Sequence, residues 1–282
     1  MDILTLLQEE AHRFSKGQRA LSCYIRESYD KAAFMTAAAL GKAVGVSEST
    51  VVRFAMELGY NGYPAMQKAM QETVVNRLTS AQRIGVANEQ IGNGDILTSV
   101  IRSDMEMLHK TQELVDRKAF LDSVETIVKA RSVYVIGVRA SAPLASFLGH
   151  YLSILLERVQ VITDSDLGAA LERMLQADHR DVLIGISFPK YAACTSQAAE
   201  YARSKGVKVI GITDSSASPL GRCSDRVLLA KSNMISIVDS LTAPMSVINA
   251  LITALASRRE GELQARFAEL EQVWAQYRVY EK

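Results

Sequence analysis

The stretch Thr36–Met56, TAAALGKAVGVSESTVVRFAM, decides the fold of the N-terminal part of the chain, because it predicts two short helices joined by a tight turn. Its apolar residues fall at the positions that such a helix pair buries: Leu40, Val44, Val46, Val51 and Phe54. Gly41 is small where the helices must approach closely, and Gly45 lies at the corner, where a positive φ is expected. Ser47 is suited to cap the second helix through its hydroxyl.

This arrangement is typical of a helix-turn-helix, in which the N-terminal residues of the second helix reach base edges in the major groove of DNA. We therefore expect DNA contacts from the start and exposed face of that helix: Ser47, Glu48, Ser49, Thr50 and Arg53. Lys42 and Lys68 are candidates for phosphate contacts. The pattern leaves an alternative open, because helical hairpins of this kind also occur in cores that never touch DNA.

The composition indicates two packed domains. The chain has 282 residues, of which 48% are hydrophobic and 22% charged, so burial of a core is expected and disorder is not. The formal net charge of +1 restricts any DNA contact to a local patch. Cys23, Cys194 and Cys223 are widely spaced and odd in number, which favours buried or half-buried thiols in a reducing cytoplasm. No metal-ligand spacing and no cofactor motif is present, so neither a metal nor a cofactor is expected.

Neither a signal peptide nor a membrane span is predicted. The N-terminal segment MDILTLLQEE is acidic and amphipathic, unlike a signal peptide. The longest apolar region, Ile235–Ala256, contains Asp239, Pro244 and Asn249 and is therefore interpreted as a core helix. These observations predict a cytoplasmic protein.

A change in composition separates the two domains. The segment SAQRIGVANEQIGNGD is rich in glycine, asparagine and other polar residues, and it predicts a linker over residues 81–96. The linker divides a helix-turn-helix domain, residues 1–80, from a second domain, residues 97–282.

The second domain alternates short apolar runs with helical segments. The runs cover residues 132–137, 159–163, 181–187, 207–213 and 226–230, and the helical segments between them cover 142–156, 166–177 and 193–205. Two long helices, 236–258 and 261–279, follow. Continuous apolar strands separated by helices predict an α/β fold, a doubly wound parallel sheet of five strands buried on both faces.

Polar residues follow three of the predicted strands, and ligands of open parallel sheets bind beyond the carboxyl ends of strands. The candidates for binding an effector are Gly137, Arg139, Ser141, Ser187, Lys190, Thr213 and Asp214. Backbone amides, hydroxyls and two cations at one edge suit a small anion such as a phosphate. For each residue taken singly, a helix-capping hydroxyl or a solvated cation is an equal alternative.

The motifs of both domains resemble those of the RpiR/MurR-type bacterial transcriptional regulators. The N-terminal block shares Val46-Ser47, Thr50-Val51, Arg53-Phe54, Leu58-Gly59-Tyr60 and Gly62-Tyr63 with the helix-turn-helix of that family. The segments VYVIGVRASAPLA and ISFPKYAACTSQAAEYARSKGVKVIGITDSSASPL resemble a sugar isomerase (SIS) domain, which binds phosphosugars. The resemblance implies a regulator that binds an operator in double-stranded DNA, senses a phosphosugar effector and self-associates as a dimer or tetramer.

The loops of the SIS-like part depart from the family pattern. The usual second loop resembles S-x-S-G-x-T, but here it reads Ser187-Phe188-Pro189-Lys190-Tyr191-Ala192, so that only the first serine is kept. The first loop carries Arg139 in place of the usual glycine. Arg139 and Lys190 still offer charges to a phosphate, although the departures equally suit another effector or a partly lost site.

Two other functions compete with the regulator. A phosphosugar isomerase with a helical appendage would need a general base, for which Glu157, His150 and Asp239 are the candidates. His150 is more simply interpreted as an interior histidine, and His109 and His179 as exposed ones. A ligand-binding assembly protein without affinity for DNA is the third possibility.

Overall fold

The computed structural model describes residues 3–9, 12–77, 83–84, 95–234 and 237–280. The chain divides into two compact units, Met1–Gln90 and Ile91–Lys282. Most of the predicted linker, residues 81–82 and 85–94, lies outside the described residues.

The first unit is helical, as the sequence predicts. Its helices are α1 (Ile3–Glu9), α2 (Lys16–Glu27), α3 (Tyr29–Ala32), α4 (Ala37–Val44), α5 (Glu48–Glu57) and α6 (Tyr63–Arg77). Leu40, Val51 and Phe54 are fully buried, and the Phe54 ring meets the edge of Phe14 at a centroid distance of 5.2 Å. Val44 and Val46 are only half-buried, because they flank the turn at the edge of the helix pair.

The second unit is an α/β fold. Its helices are α7 (Ile96–Leu114), α8 (Arg117–Val128), α9 (Ala142–Leu155), α10 (Leu167–Arg173), α11 (Ala193–Ser204), α12 (Pro219–Arg222), α13 (Thr242–Arg258) and α14 (Glu260–Tyr277). Its strands are β1 (Val133–Ile136), β2 (Val159–Ile162), β3 (Val182–Ile186), β4 (Lys208–Thr213) and β5 (Arg226–Leu229).

The five strands form one parallel sheet in the order β2-β1-β3-β4-β5. Alternate side chains of each central strand enter two separate cores. Val135 and Ile184 lie in the core that α8, α9 and α13 cover, whereas Tyr134 and Leu183 lie in the core that α10, α11 and α12 cover. The doubly wound sheet predicted from the apolar runs is therefore confirmed.

The strand order places a crevice between β1 and β3. The chain leaves β1 towards β2 on one side and returns to β3 on the other, so the loops after these neighbouring strands diverge. The register aligns Ile136 with Gly185, and both loops therefore begin at the same edge of the sheet.

The helix predicted from residue 236 begins instead at Thr242. The backbone N–H of Ser240 donates to the carbonyl oxygen of Asn233 at 2.9 Å, and the Thr242 hydroxyl donates to Asp104 of α7 at 2.9 Å. These bonds hold the described residues before Thr242 as a loop, while residues 235–236 lie outside the described part of the chain.

Candidate functional site

The turn between α4 and α5 has the geometry that its glycines allow. Gly45 adopts φ 77°, and the N–H of Val46 donates to the carbonyl oxygen of Gly41 at 2.9 Å. A Cβ atom on Gly41 would lie 2.8 Å from the Val46 carbonyl oxygen, so only glycine fits there. Both glycine predictions are confirmed.

Hydroxyls cluster at the start of α5. The Ser47 Oγ accepts a hydrogen bond from the N–H of Thr50 at 3.3 Å, which confirms Ser47 as the N-cap. The same oxygen lies 2.9 Å from the Ser49 Oγ and 2.9 Å from the Thr50 Oγ1. Free N–H groups and the helix dipole make this end of α5 attractive to anions.

One exposed face of α5 carries most of the predicted DNA contacts. Ser47, Glu48, Ser49 and Arg53 are exposed and Thr50 is half-buried. The Nε of Arg53 donates to the Ser49 carbonyl oxygen at 3.4 Å, which lays the side chain along this face. Lys42 lies in the last turn of α4 and Lys68 on α6, and both are exposed.

The end of α5 is fixed by Gly59 and Tyr63. Gly59 adopts φ 86°, the left-handed conformation expected after a helix. Tyr63 is buried, and its hydroxyl donates to the Met35 carbonyl oxygen at 2.7 Å. Burial raises the pKa of Tyr63 to about 12. Tyr63 is therefore a packing residue.

The first loop at the sheet edge follows β1. A Cβ atom on Gly137 would lie 2.9 Å from the Ser141 carbonyl oxygen and 3.0 Å from the Ala145 Cβ, so the loop packs closely against the start of α9. Ser141 is buried at the end of a short 3-10 turn, Arg139–Ser141, directly before α9. Arg139 is exposed and adopts φ 55°.

The second loop follows β3. Ser187 is buried, and its N–H donates to the Ile212 carbonyl oxygen of β4 at 3.1 Å. Lys190 is exposed and adopts φ 64°. Helix α11 then begins after Ala192, which offers no side-chain cap.

Arg139 and Lys190 thus share a strained backbone conformation. The left-handed region costs a residue with a Cβ atom about 1–2 kcal/mol relative to glycine. Each residue occupies a position where the family pattern carries glycine, so the loops keep glycine-like geometry while presenting a cationic side chain. Strain of this kind concentrates at functional sites.

Thr213 and Asp214, the predicted residues at the end of β4 and in the loop after it, have different roles. Thr213 is fully buried, and its hydroxyl donates to the Ser218 Oγ at 3.0 Å, which places it inside the structure of the loop. Asp214 is half-buried and accepts the Tyr191 hydroxyl, whose oxygen lies 2.9 Å from Oδ1 and 3.1 Å from Oδ2. Burial, and then the Asp214 carboxylate, raise the pKa of Tyr191 and keep it protonated.

Thr195 is a residue of this edge that the sequence analysis missed. Its Oγ1 is buried in the first turn of α11 and has no hydrogen-bond partner among the described residues. Buried hydroxyls are nearly always paired, so this one is available to a ligand or a water molecule. The only signal in the sequence is a threonine shortly after Lys190, displaced from the position that the family pattern gives it.

Two of the candidate bases of an isomerase, Glu157 and His150, lie outside the loops at this edge. Glu157 is exposed and precedes β2, which places it at the amino end of the sheet. His150 is exposed, so the prediction of an interior histidine is wrong: α9 buries Leu144, Leu148 and Leu152, and His150 falls on another face. His109 and His179 are exposed, as expected, and Asp239 lies half-buried in the loop before α13.

The cysteines differ in exposure. Cys194 and Cys223 are buried thiols as predicted, but Cys23 is exposed on α2, contrary to the prediction, because it faces away from the buried Leu21 and Ile25. Within the described ranges, no group of three or more histidine, cysteine or acidic residues is placed to hold a metal ion. Among the helices that the structure describes, none is long and apolar enough to cross a membrane.

Comparisons with known proteins agree with both units. The model of the helix-turn-helix domain of the rpiR family matches residues 1–77, and the SIS domain model matches residues 126–254. The HexR transcriptional regulator of Pseudomonas aeruginosa is 23% identical over 93% of this chain and 92% of its own length.

Two solved structures share the fold. The sugar isomerase domain of an RpiR transcription factor from Sphaerobacter thermophilus is 31% identical, with a TM-score of 0.60 over 62% of this chain and 97% of its own. The Vibrio vulnificus NanR protein, solved in complex with ManNAc-6P, is 23% identical, with a TM-score of 0.60 over 97% of this chain and 98% of its own.

A helix-turn-helix unit joined to a SIS domain defines a class of bacterial transcriptional regulator. Within that class, the chain belongs to the RpiR family.

Proposed function

We propose that this transcriptional regulator binds an operator in double-stranded DNA and controls genes of sugar or related carbon metabolism in the cytoplasm, in response to a small anionic effector of the phosphosugar class. Two copies would present two recognition helices to half-sites about one helical turn apart. The effector would act by binding one domain arrangement more tightly than another.

The observation that carries the effector class is the pair of cations held at positive φ beside the crevice. Arg139 follows β1 and Lys190 follows β3, and these strands are neighbours. In this proposal both side chains form charge-assisted hydrogen bonds with a phosphate group. Gly137, Ser141, Ser187 and Thr195 supply close backbone approach and hydroxyls, and Asp214 faces the sugar. The ManNAc-6P complex of NanR supports the proposal, since the same fold there holds a phosphorylated sugar.

The DNA-binding residues are proposed from the exposed face of α5. Ser47, Ser49, Thr50 and Arg53 would read base edges together with Glu48, which can accept a hydrogen bond from cytosine. Lys42 and Lys68 would contact backbone phosphates.

The effector class is tested by the melting temperature of the full chain in the presence of phosphorylated sugars, inorganic phosphate and the same sugars without phosphate. A ligand that binds the folded state raises the melting temperature by mass action. We expect a rise with phosphorylated sugars that Arg139→Ala and Lys190→Ala abolish. Lys208→Ala is the matched control, because Lys208 is an exposed cation at the amino end of β4. Equal shifts in the wild type and both site variants would contradict the proposal.

Operator binding is tested with genomic DNA selected by the full chain. Arg53→Ala should weaken binding to the selected sites by about 10- to 100-fold at moderate salt. Lys31→Ala, which removes an exposed cation of α3, serves as the control. Unchanged DNA affinity of the Arg53 variant would show that Arg53 lies outside the interface. If the wild type had no salt-dependent affinity for DNA, the alternative of a ligand-binding protein that does not bind DNA would hold.

The alternative of a phosphosugar isomerase is tested by turnover of aldose and ketose phosphates. Glu157 lies at the wrong end of the sheet to serve as a base, and His150 is exposed on α9. We therefore expect no turnover above that of an Arg139→Ala, Lys190→Ala double variant.

A further inference from the structure

Helix α14 carries a row of apolar side chains with alternating spacing. Counting from Leu263, apolar residues follow after four, three, four and three positions: Phe267, Leu270, Trp274 and Tyr277. This spacing keeps the row on one side of the helix and is the spacing found in the seam of a coiled coil. We call these five residues the α14 seam.

The second unit buries only the beginning of the α14 seam. Leu263 belongs to the core, whereas Phe267 is 37% exposed and Tyr277 is 71% exposed. Leu270 and Trp274 are half-buried but belong to neither core cluster, and the Trp274 ring contacts Tyr280 of the same tail at 5.3 Å. Among the described residues, the four seam residues after Leu263 thus lie outside both core clusters of the second unit.

The base of the seam is open as well. A groove of about 620 Å³ is lined by Ala256, Leu263, Phe267 and Glu271, among others, at the junction of α13 and α14. Nearby, the Arg266 guanidinium donates to the Ile154 carbonyl oxygen at 3.0 Å and fixes α14 against the end of α9. The helix is thus held at its start, while its apolar row continues beyond.

We propose that the α14 seam pairs in parallel with the same seam of a second copy of this chain. The charges that flank the row favour this partner. In a parallel pair, the residue before Phe267 faces the residue after Leu270 of the other helix, so Arg266 lies beside the partner's Glu271. The two-fold axis makes this attraction twice.

An antiparallel pairing is disfavoured by the same residues. If the helices crossed at Leu270 in opposite directions, Tyr277 would face the partner's Leu263, and Glu271 would face the partner's Glu271. Two carboxylates that face each other across the helix pair repel each other. The flanking charges therefore select the parallel orientation.

This inference names the surface for the self-association that the proposed function invokes, but it depends on neither DNA nor effector. Its tests report oligomeric state and proximity alone, so its failure and a failure of the proposed function are distinguishable.

The first test is sedimentation equilibrium of the full chain without ligand. Replacing Leu270 and Trp274 together by glutamate should raise the dissociation constant of the dimer at least about tenfold, because two apolar side chains leave the centre of the interface. Gln272→Glu with Ala275→Glu, which adds the same charge on the exposed side of α14, should leave it unchanged. A monomeric wild type, or equal dissociation constants for all three proteins, would overturn the proposal.

The second test determines orientation. In a Cys23→Ser background, which removes the exposed native thiol, Tyr277→Cys should form an intermolecular disulfide on mild oxidation, whereas Gln272→Cys should not. Glu271→Gln should weaken the dimer in a parallel pair and strengthen it in an antiparallel one. Cross-linking at 272 rather than 277, or a tighter Glu271→Gln dimer, would refute the parallel seam. Circular dichroism and the melting temperature verify that each variant is folded.

Discussion

The Tyr191 hydroxyl donates to the Asp214 carboxylate and joins the loop after β3 to the loop after β4, with oxygen distances of 2.9 and 3.1 Å. The backbone carbonyl of Asp214 also accepts from the Lys231 Nζ at 3.3 Å. A negative charge beside a proposed phosphate site is thereby shielded by a neutral donor and by a cation of the segment after β5.

Tyr191→Phe should weaken the binding of inorganic phosphate several-fold, because the Asp214 carboxylate loses the donor that shields it. Asp214→Asn should strengthen phosphate binding, since it removes the charge itself while an amide oxygen can still accept from Tyr191. Isothermal titration calorimetry of both variants measures the effect. Tyr201→Phe, towards the C-terminal end of α11, is the control. Equal phosphate affinity in the two site variants would show that Asp214 does not act on the anion.

Arg139→Gly and Arg139→Ala should lose phosphate affinity to the same extent and differ in stability. Both remove the guanidinium, but only glycine adopts φ 55° without strain. We expect the glycine variant to be more stable than the alanine variant by up to about 1 kcal/mol, after allowance for the greater freedom of glycine in the unfolded chain. Chemical denaturation measures the difference, and the same comparison applies to Lys190. An alanine variant that is the more stable would show that the strain is negligible.

Ser47 combines a helix cap with a proposed DNA contact, and two substitutions separate these roles. Ser47→Ala should reduce the stability of the first unit by about 1 kcal/mol, because the N–H of Thr50 loses its acceptor. Ser47→Asp should preserve stability, since aspartate is an equally good cap, but it should weaken operator binding by bringing a carboxylate towards the base edges of the negatively charged DNA. Denaturation and operator titration of the two variants provide the test. An aspartate variant with wild-type affinity would place Ser47 outside the interface.

The stability of the first unit should fall in alkaline solution because of Tyr63. The pKa of this residue is near 10 in the unfolded chain and rises to about 12 in the folded one. Below pH 10 both states keep the proton and the full stability is present. Between pH 10 and 12 only the unfolded state loses it, so stability declines by up to about 1.4 kcal/mol per pH unit.

Tyr63→Phe isolates this effect. The variant should be less stable than the wild type at neutral pH by about 1 kcal/mol, because it lacks the hydrogen bond to Met35. The difference in unfolding free energy between the two proteins should shrink as pH rises above 10 and then reverse, because the loss through titration exceeds the contribution of the hydrogen bond. A difference independent of pH would mean that Tyr63 titrates normally in the folded state.

The local architecture was predictable from the sequence where short-range sterics and periodicity determine it. Gly41 and Gly45 specify the turn between α4 and α5, because one must be small and the other must accept a positive φ. Ser47 specifies the start of α5. Five largely apolar runs specified a parallel sheet, since strands covered on both faces, such as β1 and β3, need apolar residues at nearly every position.

Other features depended on contacts between distant parts of the chain. The start of α13 at Thr242 follows from bonds to Asp104, more than a hundred residues away, which no local pattern contains. His150 is exposed because α9 packs on the sheet through the face that carries Leu144, Leu148 and Leu152. Thr195 lies outside the family motif, so its unpaired hydroxyl is recognised only in the folded structure, where the first turn of α11 buries it.

The sequence by itself determined the helix-turn-helix, the parallel sheet and the sheet edge at which the loops after β1, β3 and β4 begin, because hydrophobic periodicity and turn-forming residues act locally. Only the tertiary structure decided that Thr213 is buried within its loop, that Tyr191 holds Asp214, and that Arg139 and Lys190 occupy the left-handed region. The bond between Tyr191 and Asp214 arises from the strand order, which places the loops after β3 and β4 side by side. The positive φ of Arg139 and Lys190 persists because the surrounding structure holds these loops.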